Sequence, residues 1–221
     1  MIYFSKDTVD FLKNLTENNN TTWFNSNKTL FEEKVKIPFQ NFVEVLSHEL
    51  EKSENSQMAS TKDCIYRLNR DVRFSEDKSP YKTFVSALIS PFGRQNRAYP
   101  GLYIQISAKE VRLYSGSHSL TPAQLKSVRQ KIFDEPKRFK KLISDKEFMN
   151  VFGELRGEQN KKIPTPFSEL ADQIPQIANK EFYYFTKMPS NMILQDGFKD
   201  TILENYSVCQ ELNTFLRESL E

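Results

Sequence analysis

Residues 65–82 restrict the fold more than any other stretch. Ile65-Tyr66-Arg67-Leu68-Asn69-Arg70-Asp71-Val72-Arg73-Phe74 alternates apolar and polar side chains, then gives way to the polar turn Ser75–Pro80. A period of two is the signature of a strand, and it places Tyr66, Leu68, Val72 and Phe74 on one face with Arg67, Asn69, Asp71 and Arg73 on the other. Arg70 breaks the rule by falling on the apolar side. A guanidinium there needs a carboxylate, carbonyl groups or a bound anion, unless a bulge turns it outward. Thr83–Ile89 reads as a second strand, so Ser75–Pro80 becomes the connection of a long hairpin and Lys82 stands beside the end of the first strand.

The span is dense in donors suited to phosphate or carboxylate: Arg67, Arg70, Arg73, Lys78, Tyr81 and Lys82, with Asp71 and Asp77 as local carboxylates. These eight residues are the candidate ligand-binding set. Arginine favours such anions because its planar fork makes two hydrogen bonds at once. On a straight strand Arg67 and Arg73 stand about 20 Å apart at roughly 3.3 Å per residue, too far to grip one phosphate. Either the strand ends or bulges near Asn69–Asp71, or only part of the set acts together. Asp71 is the nearest partner for an arginine, and Asp77 is placed to anchor the turn by an Asx-type bond. An Arg–Asp lattice without ligand chemistry is the competing reading.

The pattern Arg67-x-x-Arg70-Asp71-x-Arg73-Phe74-Ser75-x-Asp77-Lys78-x-Pro80-Tyr81-Lys82, preceded by Asn18-Asn19 and Trp23-Phe24, resembles the signature of the DUF2461 family of uncharacterised, mostly bacterial proteins. The resemblance extends over nearly the whole chain and implies that these positions belong together, while naming no activity. Lys161-Lys162-Ile163-Pro164-Thr165-Pro166 departs from the family pattern, which has a Pro-Lys-Gly-like turn there.

Across 221 residues no Gly/Ser-rich or Pro-rich linker interrupts the chain, so a single domain over 1–221 is expected. Charge is uneven: residues 1–60 hold 6 Lys/Arg against 9 Asp/Glu, residues 61–141 hold 17 against 7, and the remainder 8 against 13. A basic middle points to an anionic partner or to pairing with the acidic ends. A small anionic compound is the expected partner and nucleic acid the alternative, with Tyr99, Tyr103, Tyr114, Arg94 and Arg97 available to it. Cys64 and Cys209 lack metal-ligand spacing, and HExxH, P-loop, dinucleotide and EF-hand motifs are absent from the sequence, so no metal or cofactor is expected. No leader-like segment or long apolar run occurs, so the expectation is a cytoplasmic protein that does not enter a membrane.

Phe4, Thr8, Phe11, Leu12 and Leu15 recur at helical spacing after Ser5, and Asn18-Asn19-Asn20 suits the end of that helix. Thr21 or Thr22 is the expected cap of a second helix, which Pro38 must kink or restart. Leu102–Ile106 and Val111–Tyr114 read as strands, Thr121-Pro122 opens a helix, Glu181–Thr186 is another strand, and Phe198–Leu216 one long closing helix. The fold class is α+β: N-terminal helices, a central mainly antiparallel sheet containing 65–74 and 83–89, and C-terminal helices packed on it. His118 in Ser115–Ser119 is placed as a general base could be, yet no GxSxG elbow and no spaced acid accompany Ser117 or Ser119. Whether the protein is an enzyme stays open on sequence alone.

Overall fold

The computed structural model of the protein describes residues 1–220. The architecture is α+β, with N-terminal helices, one four-stranded antiparallel sheet and C-terminal helices. The sheet runs β1 (Phe84–Ile89), β2 (Leu102–Ser107), β3 (Glu110–Ser117) and β4 (Phe182–Pro189), paired in that order. Alternation holds along β2, where Leu102, Ile104 and Ile106 are buried, and along β3, where Val111, Leu113, Ser115 and Ser117 are. Helical spacing likewise places α1 (Lys6–Glu17), which buries Thr8, Phe11, Leu12 and Leu15 as one stripe.

Two compact units make up the chain. The first comprises Met1–Gln95, Tyr103–Leu113 and Lys187–Leu203. After α1 come α2 (Thr21–Ser26) and α3 (Lys28–Phe31), then a π-turn over Glu32–Lys36 that leads straight into α4 (Ile37–Glu54). The π-turn answers Pro38: a proline within the first turn of α4 needs no N–H of its own, and the widened turn before it absorbs the ring. The cap of α2 is Asn20 rather than Thr21 or Thr22, since its side-chain oxygen accepts the Trp23 N–H at 2.9 Å. Trp23 packs on Phe11, ring centres 5.5 Å apart. Phe42 is central to the apolar interior, 5.2 Å from Phe4 and stacked on Phe198 at 5.1 Å.

The expected strand over 65–74 is not a member of the sheet. After the short α5 (Thr61–Cys64), the chain makes isolated bridges at Ile65 with Ala87 and at Asn69 with Tyr81, and its pairing stops at Arg70. It thus covers the outer edge of β1, which would otherwise present unpaired backbone groups. Phe74 lies beyond this pairing, so the alternation does not bury it; it is 96% exposed.

The second unit comprises Asn96–Leu102, Tyr114–Thr186 and the chain from Glu204 onward. It contains α6 (Pro122–Asp134), α7 (Pro136–Ile143) and α8 (Lys146–Phe152). The expected closing helix is two, α9 (Phe198–Ser207) and α10 (Gln210–Glu218), broken at Val208-Cys209. In α10, Asn213 fixes the helix to the strands: its side-chain oxygen accepts from Tyr184 Oη at 2.5 Å and from Ser115 Oγ at 2.9 Å. Burial pushes the Cys209 thiol beside this network up to about 12, which keeps it protonated and unreactive. The buried Arg129 of α6 donates to the carbonyls of Ile177, Ala178 and Asn179 at 2.9 to 3.3 Å, so its charge is met by backbone dipoles.

No helix among the described residues is long and apolar enough to cross a membrane.

Candidate functional site

The pairing of 65–70 with 80–87 builds the site. Lys82 N–H donates to the Leu68 carbonyl and Arg70 N–H to the Pro80 carbonyl, both at 2.9 Å. Pro80 can only accept, so the ladder ends there and the intervening residues must be held by other means. Side chains supply them. Asp77 Oδ1 accepts from the Ser79 N–H at 2.9 Å and from Ser79 Oγ at 2.6 Å, the Asx-type anchor expected of it. Lys78 Nζ donates to the Val72 carbonyl at 3.0 Å, clipping the two limbs of the loop together.

Arg70 is the hub of that loop. Its guanidinium pairs with Asp77 and also donates to the Ser79 carbonyl and Ser75 Oγ, each at 3.3 Å, with 26% of the side chain exposed. The apolar-side arginine therefore has the carboxylate and carbonyl that its position requires. The Ser79 hydrogen bonds, with Arg70 behind them, hold the Asp77 carboxyl down at about 2.

Arg73 stands apart from this hub. It grips Asp71 with two bonds, Nε to Oδ1 at 2.9 Å and Nη2 to Oδ2 at 2.7 Å, in solvent, with 76% of its side chain exposed. That fork holds the Asp71 carboxyl below its ordinary range. Arg67 is exposed and has no hydrogen bond or ion pair among the described residues.

Asn19, at the turn after α1, completes the enclosure. Its amide donates to the Tyr81 carbonyl at 2.9 Å and its oxygen accepts the Tyr81 N–H at 3.2 Å, so one side chain pairs with that backbone as a neighbouring strand would. The Tyr81 ring is buried and stacked on Phe24, centres 4.2 Å apart. Asn18, Asn19 and Asn20 thus do three different things: the first ends α1, the second holds Tyr81, the third caps α2.

Between α1 and this loop lies a cleft of about 570 Å³. Thr16 and Asn19 form one wall, Arg70, Asp71, Asp77 and Ser79 a second, and Tyr81–Phe84 the floor. The Lys82 ammonium lies 5.3 Å from the Tyr66 ring centre and 6.0 Å from that of Phe84, within cation–π range of both. Of the eight residues singled out in the sequence, Arg70, Asp71, Asp77, Tyr81 and Lys82 line the cleft, while Arg67, Arg73 and Lys78 do not. Arg67 is exposed, Arg73 is held on Asp71 in solvent, and Lys78 is spent on the Val72 carbonyl. Thr16, Ser79, Thr83 and Phe84 were not anticipated, because their place depends on tertiary pairing and no local pattern marks it.

Among the described residues there is no group of three or more His, Cys, Asp or Glu side chains that could hold a metal ion. No curated protein matches the chain. A family model described as a conserved hypothetical protein (DUF2461) matches residues 7–215, a span that includes every residue of the cleft, and the protein belongs to that family.

Proposed function

We propose that the cleft binds a small compound carrying a phosphate or carboxylate, with Arg70 and Lys82 as its cationic contacts. The observation that carries this reading is that Arg70 and Lys82 open onto one cleft. Arg70 is held in place by acceptors on three residues, so little side-chain entropy remains to be lost when an anion arrives. A guanidinium has five N–H donors, and three acceptors leave it capacity for a further anion. Asp77 is turned by Ser79 and stays charged, so it balances Arg70 and restricts the ligand to one that brings its own strong acceptors. The Lys82 ammonium, near two rings, contributes the second charge.

Thermal unfolding with phosphate, sulfate, citrate, nucleotides and sugar phosphates, each against chloride at matched ionic strength, tests the proposal. Binding to the folded state alone adds about 2.7 kcal/mol at a hundredfold excess over Kd, a shift of several degrees. Exclusion effects of kosmotropic salts are removed by counting only low-millimolar responses. A shift with one chemical class that is lost in Lys82→Gln and kept in Arg67→Gln supports the reading; equal shifts in all three proteins, or none, leave the arginine segment as a structural lattice.

A further inference from the structure

In the second unit, and independently of the cleft, a hydroxyl, an imidazole and a carboxylate are in line. The Ser119 Oγ lies 2.7 Å from His118 Nδ1, and His118 Nε2 lies 3.2 Å from Glu181 Oε1. We propose that Ser119, His118 and Glu181 form a nucleophile, base and orienting acid that hydrolyse carboxylic esters of small phenols or alcohols.

The tautomer follows from the carboxylate. Glu181 can only accept while ionised, so it selects the imidazole with its proton on Nε2 and leaves the Nδ1 lone pair facing the Ser119 hydroxyl. Base and acid meet because of strand register. Gly116 on β3 has φ +104°, and a Cβ there would come within 2.1 Å of the Phe182 carbonyl, so only glycine permits this approach to β4. Two residues forward on β3 and back toward the start of β4 bring His118 opposite Glu181. The His118 N–H also donates to the Arg97 carbonyl at 3.0 Å, which fixes the backbone that carries the base.

Ser119 itself has φ +57°, a left-handed conformation unfavourable for a residue with a Cβ and one that recurs at functional positions. Half of the His118 side chain is exposed, so a substrate can reach the pair. Tyr183, ring centre 6.2 Å from that of His118, gives a flat wall for an aryl group and also lines a separate cleft of about 440 Å³.

In the reaction the Ser119 oxygen bonds to the ester carbonyl carbon while its proton passes to His118 Nδ1. Collapse of the tetrahedral adduct breaks the bond to the leaving oxygen, which takes that proton and departs as the phenol or alcohol. Water then attacks the acyl-serine with His118 again as base, releasing the acid and restoring the hydroxyl.

The test uses the full chain. A fluorophosphonate probe should label Ser119, read by peptide mass mapping, and p-nitrophenyl acetate should be hydrolysed above the buffer rate. Ser119→Ala and His118→Gln should each lower that rate at least tenfold and abolish labelling, while Glu181→Gln should lower it severalfold, with thermal midpoints of all three near the parent's. Mapping in the parent needs no variant, so a folding defect cannot obscure the result. No label on Ser119, label only elsewhere, or a hydrolysis rate unchanged in Ser119→Ala overturns the proposal, and none of these outcomes bears on the anion cleft, whose residues are all in the other unit.

Discussion

Asn19 holds Tyr81 from 62 positions away in the sequence, its one amide group answering both the carbonyl and the N–H of that residue. The bond pair fastens the end of α1 to the segment before β1 that lines the cleft. Asn19→Leu removes both partners from a part-buried backbone and should destabilise the protein by about 1–3 kcal/mol. Asn19→Asp keeps the acceptor and loses the donor, so it should fall between leucine and the parent. Urea unfolding midpoints at constant slope measure both.

The two arginines of the loop should differ in their effect on stability. Arg70→Ala strips the hub from Asp77, Ser75 and Ser79 and should destabilise by roughly 1–3 kcal/mol. Arg73→Ala breaks only a solvated pair with Asp71 and should leave the unfolding midpoint close to the parent's. Anion-induced shifts should survive Arg73→Ala, because that side chain is not part of the cleft wall.

Acid should weaken the second unit through Glu218. Hydrogen bonds from Arg138 and Lys131 hold its carboxyl down to about 2 from an ordinary 4.5. A carboxyl depressed in the folded state contributes stability above its unfolded value and loses it as pH falls through the folded one. The loss therefore lies between about pH 4.5 and pH 2. Thermal midpoints across that window should fall less steeply in Glu218→Gln than in the parent.

Gly116→Ala should be strongly unfavourable, since φ of +104° and a carbonyl 2.1 Å from the new Cβ leave β3 no relaxed alternative. A loss of at least about 1 kcal/mol is expected. Gly153→Ala, with a φ of +77° and open space around it, should be milder, and the difference in unfolding free energy between the two isolates the steric part.

Much of the fold was legible because local rules and tertiary structure agreed. Period two marked β2 and β3, period 3.6 marked α1, and Thr121-Pro122 marked α6, each in a segment whose burial follows its own pattern. Residues 65–74 misled because their backbone pairing extends only as far as Arg70: the partner runs out at Pro80, and Phe74 goes to solvent with nothing to bury it. The need for a partner at Arg70 was readable from charge alone, and the identity of that partner, Asp77, was within reach of the same short span. Asn19 was visible only as a turn residue, since its contact with Tyr81 is set by packing. Glu181 could not be assigned to His118, because 63 residues separate them and only the register of β3 and β4 brings them together.

The central claim is that an anion sits between Arg70 and Lys82. A crystal structure of the protein soaked with the compound giving the largest thermal shift tests it most directly. The account predicts density for the phosphate or carboxylate group within hydrogen-bonding distance of the Arg70 guanidinium and the Lys82 ammonium, with the Arg70–Asp77 pair retained. An empty cleft at saturating compound, or the anion seated instead on Arg67 or Arg73, would contradict it.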